Sequence, residues 1–374
     1  MTEDKPNRKK RDSHPSALHV VRGVEGGHDG LPGNSRKNTE RKKPSAENHG
    51  LTTAQYIEGV LAGDRTILGK AITLIESNAP AHQNQAQDVL RELLPHTGCS
   101  LRVGITGIPG AGKSTFIETL GCRLTAQDHK VAVMAVDPSS SLTRGSILGD
   151  KTRMEQLSRE PGAFIRPSPS GGTLGGVARK TRETMLVFEA AGYDVILVET
   201  IGVGQSEITV RSMVDFFLLI LIAGGGDELQ GLKRGVMEIA DAVLINKVDG
   251  DNIKPARLAQ TDYQRALHYL QPATRGWQTE AHLASSLTGY GIDDIWKVIL
   301  KFREITGRNG EFDRRRREQS RDWLHTMLEE RLKDLFYRHP NVEKKLPEIE
   351  QKVMNGRLPV TIAAWELLQT FEKE

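Results

Sequence analysis

The sequence predicts an α/β fold of the P-loop nucleotide-binding class. A mostly parallel sheet is flanked by helices, with helical extensions at both ends. Three observations point there. Gly107-Ile108-Pro109-Gly110-Ala111-Gly112-Lys113-Ser114-Thr115 reads G-x-x-x-x-G-K-S, the pattern of a phosphate-binding loop. An apolar run at 101–105 precedes it and a helical segment at 115–124 follows it, which is the setting the pattern needs. From residue 101 onward, apolar runs at 101–106, 131–136, 194–198, 216–223, 242–245 and 281–284 alternate with helical stretches. Such alternation means parallel strands covered on both faces, with ligands at their carboxyl ends.

Composition narrows the class. The chain has 374 residues, 26% of them charged, and a mean hydropathy of −0.42. That suits a soluble globular protein, and no apolar run approaches the roughly 20 residues of a membrane span. Only Cys99 and Cys122 occur, with no C-x-x-C, which argues against a disulfide framework or a structural zinc site. The N-terminus has no apolar core of signal-peptide type and carries Glu3 and Asp4, so the expected location is the cytoplasm. Net charge is +3, but residues 1–50 hold eleven Lys or Arg against seven Asp or Glu, so the basic balance lies in the tail. The folded part is therefore expected to lack a nucleic-acid-binding face.

The chain reads as four segments. Residues 1–50 are rich in Gly, Pro, Asn, Ser and charge, and read as a disordered basic tail with scattered histidines. Residues 51–100 form a helical preface. Tyr56, Ile57, Val60 and Leu61, then Leu68, Ile72 and Ile75, then Val89, Leu90, Leu93 and Leu94 keep helical spacing. Thr52 or Thr53 suits a cap, Gly63-Asp64 suits a break, and the preface is expected to pack on the following sheet. Residues 101–306 form the nucleotide-binding domain. Residues 307–374 form a charged helical arm. In it, Arg314 to Arg317 read as a solvated face, and Leu324, Met327, Leu328, Leu332, Leu335 and Phe336 as an apolar stripe. Packing on a second subunit and packing on its own domain both fit that stripe.

Candidate site residues stand at the ends of the runs. In the phosphate loop, Gly107 to Thr115, glycines let backbone N–H groups converge on phosphate oxygens at a helix N-terminus. Lys113 suits the β- and γ-phosphates, and Ser114 suits Mg²⁺. Asp137 follows the second run and fits either a Mg²⁺ site or an Asx-turn. Glu199 follows the third, with Gly202 three residues on; the carboxylate suits Mg²⁺ or its waters and the glycine N–H suits the γ-phosphate. Gly224 to Gly226, Asp227 and Lys233 follow the fourth, as a phosphate-approaching segment or a surface loop. Asn246-Lys247-Val248-Asp249 is N-K-x-D. A carboxylate there accepts from guanine N1–H and the 2-amino group, donors that adenine lacks, and so selects GTP. Ser285, Ser286 and Leu287 follow the last run and suit backbone contacts to guanine O6.

With these residues in view, the chain resembles the MeaB/ArgK/MMAA family of GTPases, chaperones of adenosylcobalamin-dependent acyl-CoA mutases. The resemblance spans residues 51–374 and rests on GIPGAGKST, AVDPSSSLTRGSILGDKTRM, RPSPSGGTLGGVARKT, VETIGVGQSE, GGGDELQGLKRG and NKVD. It implies a GTPase domain of the SIMIBI class that binds GTP or GDP with Mg²⁺. It implies that Asp137, Asp150 and Glu199 form the acidic group around Mg²⁺ and water, and that Asp227 and Lys233 lie in switch III. It also implies a homodimer through the C-terminal helices and a mutase partner, methylmalonyl-CoA mutase first. Ser286, where many members carry Ala or Gly, and Val360-Thr361-Ile362 depart from the family pattern. Two other functions fit the same fold class: a nickel-type metallochaperone GTPase and a kinase linked to amino-acid transport. The first needs a Cys/His metal site that the cysteine spacing does not suit. The second lacks a recognisable kinase catalytic loop. A cobalamin-type D-x-H-x-x-G is approached only at Asp12-Ser13-His14, with Ala17 in place of Gly, so the partner is expected to hold that cofactor.

Overall fold

The computed structural model describes residues 50–136, 154–167, 174–200, 206–224 and 230–372, with the backbone alone at 174–175 and 230–234. Contacts divide the chain into residues 1–50 and 51–374, and apart from Gly50 the described residues all belong to the second unit.

Seven strands form one sheet among the described residues. They are β1 (Leu101–Gly107), β2 (Val131–Val136), β3 (Ala163–Arg166), β4 (Val195–Thr200), β5 (Phe216–Ile222), β6 (Ala242–Asn246) and β7 (Ala281–Leu283). Their order is β3-β2-β4-β1-β5-β6-β7, and every neighbouring pair is parallel. The β–α alternation thus gives the parallel sheet it predicts. The run at 194–198 is shifted: β4 extends to Thr200, so Glu199 lies inside the strand. β3 is not among the six runs read from sequence. It is a four-residue edge strand ending in Arg166, whose guanidinium pairs with Glu76 of the helical preface, too short and too polar to stand out as an apolar run.

Side chains alternate between two faces, as strand geometry requires. Val103, Ile105, Val133, Leu197, Leu218 and Leu244 face one way and pack with α4 (Lys113–Thr125) and α10 (Ile292–Arg308). Ala132, Met134, Ile196, Val198 and Phe217 face the other and pack with α6 (Leu174–Ala190) and α7 (Ser206–Arg211). Shorter or more peripheral helices are α5 (Glu155–Arg159), α8 (Gln230–Ile239) and α9 (Ile253–His268).

The preface comprises α1 (Thr53–Leu61), α2 (Arg65–Glu76) and α3 (Pro80–Leu93). Thr52 caps α1 in a capping box with Gln55, and Asp64 caps α2 through the Thr66 and Ile67 N–H groups. Val60, Leu68, Ile72, Val89 and Leu93 are fully buried. The preface packs chiefly on α6 and also meets edge strand β3, where Arg65 lies over the Phe164 ring and Glu76 pairs with Arg166.

An aspartate stands one residue before each of three strands. Asp194 accepts from the Lys130 N–H at 2.8 Å, Asp215 from Arg102 N–H at 2.8 Å, and Asp241 from Phe217 N–H at 2.9 Å. Each carboxylate thereby binds the backbone at the start of the neighbouring strand. Two of them carry a second load. α11 (Glu311–Tyr337) sends Arg316 onto Asp215 with both carboxylate oxygens engaged at 2.7 and 2.6 Å, and onto the Gly98 and Ser100 carbonyls. Arg315 binds the Asp215 carbonyl, the Thr274 hydroxyl and the Asp241 carboxylate. The solvated-face reading of Arg314 to Arg317 therefore holds for Arg314 and Arg317, which are exposed, and fails for Arg315 and Arg316. Helical spacing turns these two toward the buried aspartates. The arm continues through α12 (Pro340–Met354) and α13 (Val360–Glu372), joined by Val342, Ile349, Ala363 and Leu367.

Removing Arg316 leaves the Asp215 side chain, 1% exposed, charged without its main partner. Breaking a buried pair this way costs about 3–5 kcal/mol. Arg316→Ala is expected to lose that much in urea unfolding, with nucleotide-site residues untouched. A second expectation concerns pH. Burial pushes the Glu183 carboxyl on α6 up to about 7, against the opposing pull of Arg179 and Lys180. The folded chain keeps a proton there that an ordinary carboxyl near 4.5 has released. Stability from this source is complete below about pH 4.5 and is lost as pH rises through about 7. Glu183→Gln is expected to flatten that fall, read as the stability difference from wild type between pH 5 and pH 8.

Candidate functional site

The phosphate loop leaves β1 between β4 and β5, where the chain order on the two sides of the sheet diverges. That is the crevice where ligands bind in open α/β sheets. Gly107 ends β1, and a Cβ there would lie 2.1 Å from the Ile220 carbonyl oxygen. Ile108 and Ala111 are buried and anchor the loop, while Pro109 and Gly110 are exposed at its tip. Gly112, at φ +90°, begins α4, and a Cβ there would lie 2.6 Å from Asn246 Nδ2. Lys113 is the first residue of α4. Its ammonium donates to the Gly107 carbonyl at 2.8 Å and to Ile108 at 3.2 Å, so it is held over the loop it belongs to. Ser114 Oγ donates to Glu199 at 3.0 Å, and exposed Thr115 follows. Glu199 reaches this place because β4 pairs with β1 in a register that sets it beside Ile105.

Asn246, the last residue of β6, is 1% exposed and joins two loops. Its Nδ2 donates to the Ala111 carbonyl at 2.8 Å. Its Oδ1 accepts from the Ser286 N–H at 3.0 Å and the Ser286 hydroxyl at 2.9 Å. Lys247 is exposed with φ +62°, and Val248 N–H donates to the Ala284 carbonyl at 3.1 Å. Half-buried Asp249 accepts from the Ser285 hydroxyl. The Ser285 and Ser286 N–H groups are engaged by the Tyr290 carbonyl and by Asn246, so here both shape the loop. Leu287, 82% exposed, stands at its tip. The structure thus brings the phosphate loop, Glu199, N-K-x-D and the 285–287 loop to one end of the sheet, although they are far apart in sequence.

This arrangement of a phosphate loop bonded to an N-K-x-D segment has relatives. The family described as "Methylmalonyl Co-A mutase-associated GTPase MeaB" matches residues 68–341. A putative GTPase of Caulobacter vibrioides is 54% identical over 312 residues, covering 83% of this chain and 95% of the relative. The GTPase ArgK of Escherichia coli is 46% identical over 307 residues, covering 82% and 93%. The chain belongs to the MeaB family. A mouse relative, "Methylmalonic aciduria type A homolog, mitochondrial", is 45% identical over 324 residues, covering 84% and 78%. A crystal structure described as "LAO/AO transport system kinase" superposes with a TM-score of 0.69 at 37% identity, covering 86% of this chain and 98% of that one.

In this MeaB-family chain, Asp137, Asp150, Gly202 and Asp227 lie outside the described residues. Lys233 lies on α8, where the backbone alone is described. Two residues next to the site escape sequence reading. Thr119 and Arg123, one turn apart on α4, donate to the Ser286 carbonyl at 2.8 Å and the Gly289 carbonyl at 3.0 Å. No local pattern marks them, because their partners lie more than 160 positions away.

The Gly112–Asn246 contact gives a direct test. Gly112→Ala is expected to push the Asn246 amide off the Ala111 carbonyl and loosen Ser286. Hydrogen exchange at the Ser286 N–H should speed up, and nucleotide affinity should fall by about tenfold or more, the equivalent of one lost hydrogen bond to a buried group.

Proposed function

We propose that this MeaB-family chain is a GTP-hydrolysing chaperone that gates adenosylcobalamin loading of an acyl-CoA mutase, methylmalonyl-CoA mutase first, and protects that enzyme. The observation that carries the reading is Asn246. It bonds the phosphate loop to the loop that faces Asp249, within a chain that matches the mutase-associated family over residues 68–341.

The phosphates lie along 107–115, at the N-terminus of α4, where the backbone N–H groups and Lys113 compensate their charge. Asp249 accepts from guanine N1–H and the 2-amino group, while Asn246 and the 285–287 loop shape the base pocket. An adenine would leave that carboxylate unmatched. The hydroxyl of Ser114 and the carboxylate of Glu199, 3.0 Å apart, are the hard oxygen donors that suit Mg²⁺. Asp137 and Asp150 join them by motif. A Mg²⁺ held there would neutralise charge on the β- and γ-phosphate oxygens. The residues' own contribution is positioning and electrostatics: Lys113 and Gly202 on the γ-phosphate, and the acidic group orienting water. Slow hydrolysis by the chain alone, accelerated by a partner through Asp227 and Lys233, follows from that division of labour.

The arm, 307–374, is the proposed dimer contact. Leu324, Leu328, Leu332 and Leu335 repeat at helical spacing on α11 and are each about half exposed among the described residues, while Phe336 packs against Phe371 of the arm itself. The preface, 51–100, and the nucleotide domain, 101–306, act as one scaffold, and the cytoplasm is the proposed location. No helix among the described residues is long and apolar enough to cross a membrane. Among them no group of three or more His, Cys, Asp or Glu is placed to hold a metal ion.

The test is GTP turnover with and without methylmalonyl-CoA mutase from the same source. The expected result is at least tenfold stimulation in wild type, loss of it in Lys233→Ala, and loss of all turnover in Lys113→Ala. Phosphate appearing on protein instead of in solution would favour the kinase reading that the superposed crystal structure's description suggests.

A further inference from the structure

We propose that Arg123, seconded by Thr119, is a positioning residue that sets the guanine-binding loop at a fixed place relative to the phosphates. This rests on the guanine-nucleotide reading of the site and extends it to residues that touch no nucleotide.

α4 starts at the phosphate loop and runs beneath the loop at 285–291. Its first residue is Lys113, and Thr119 and Arg123 lie about 9 and 15 Å further along its axis at 1.5 Å per residue. Both face the loop. Thr119 Oγ1 lies 2.8 Å from the Ser286 carbonyl and 2.9 Å from the Thr115 carbonyl of its own helix, so its single proton is shared between the two. Arg123 divides its guanidinium between two points. One nitrogen donates to the Gly289 carbonyl at 3.0 Å, and another pairs with Asp293 at 2.5 Å in the first turn of α10.

The loop is built to be held there. Gly289 has φ +80°, and a Cβ on it would lie 2.1 Å from the Arg123 guanidinium. The backbone thus approaches the arginine more closely than any other residue type would allow. Gly289 N–H closes onto the Ser285 carbonyl at 2.8 Å, and Ser285 N–H onto the Tyr290 carbonyl at 2.9 Å. Anchoring Gly289 therefore anchors the turn that carries the Ser285 hydroxyl to Asp249 and Ser286 to Asn246. The base-binding groups are then tied to the same rigid helix that begins at the phosphates. The side chain of Arg123 is 32% exposed and that of Asp293 60%, so as an ion pair this contact contributes little to stability. Its value lies in geometry, since a guanidinium with fixed donor directions fixes both partners at once.

A positioning role of this kind acts on base recognition and not on phosphate capture. The experiment uses the full chain and three probes: a fluorescent GDP for affinity, GTP for steady-state kinetics, and tripolyphosphate as a competitor that reads the phosphate loop alone. Arg123→Gln is expected to raise the GDP Kd and the GTP KM by five- to fiftyfold. kcat at saturation should change less than twofold, and the tripolyphosphate inhibition constant should stay within twofold of wild type. Arg123→Lys should recover part of the loss, because one ammonium reaches one of the two partners at a time. A loss of GDP and tripolyphosphate binding together, or unchanged GDP affinity, would overturn the proposal. If Arg123→Gln does not fold, Thr119→Val carries the same expectation at smaller size, with the same overturning results. Wild-type chain that binds ADP as tightly as GDP would overturn the guanine reading itself, and the proposal with it.

Discussion

The site depends on one buried amide. Asn246 is almost fully enclosed, and each polar atom of its side chain has a partner: the Ala111 carbonyl on one side, the Ser286 N–H and hydroxyl on the other. A buried amide left unmatched is costly, so these bonds hold three chain segments in one arrangement. The segments are separated by 135 and 40 residues in sequence. The phosphate loop and the 285–287 loop are both placed with respect to this residue. The phosphate loop lies on one side and the loop beside Asp249 on the other, while Gly112 is required because Asn246 comes so close.

The two ends of the parallel sheet are used differently. At the carboxyl end Lys113 is held by the Gly107 and Ile108 carbonyls, and Glu199 by the Ser114 hydroxyl. At the amino end the charges are neutralised internally. Asp215 is matched by Arg316 and accepts from the Arg102 backbone N–H, Asp241 is matched by Arg211 and Arg315, and Glu189 by the Arg102 guanidinium and Ser100. Burial alone would push the Glu189 carboxyl up, yet the hydrogen bonds and charge of Arg102, helped by Ser100 and Gly98, hold it below the ordinary carboxylate range. The amino end is therefore a closed structural joint.

The joint has a consequence for the arm. Arg315, Arg316 and Gln319 of α11 grip the segment from Arg211 to Asp215, which connects α7 to β5. Arg182 of α6 adds bonds to the Ser212 carbonyl and the Gln319 carbonyl and lies over the Trp323 ring. The root of the arm is thus bonded to the sheet and its helices, while the leucines of its far half are about half exposed among the described residues. The helix of 27 residues covers about 40 Å.

Much of this was legible in the linear order of residues. The phosphate loop, N-K-x-D and all the strands except β3 follow from local pattern, because a strand buried on both faces writes itself as an apolar run and a glycine loop writes itself as glycines. Capping at Thr52 and the helix break at Gly63-Asp64 are equally local. β3 was not legible, since four residues ending in an arginine leave too little pattern. Nor were the roles of Arg315 and Arg316, because a run of arginines reads the same whether it faces water or buried aspartates, and the facing is decided by the register of α11 on the sheet. Thr119 and Arg123 belong to the same class. Residue order alone was enough for the class of fold, the phosphate loop and the family. Three-dimensional packing was needed to settle which charges are buried, which helix carries the preface, and how the 285–291 loop is held to α4. Periodicity records what each residue needs from its neighbours in the chain, whereas hydrogen bonds between distant loops exist only once the sheet has brought them together.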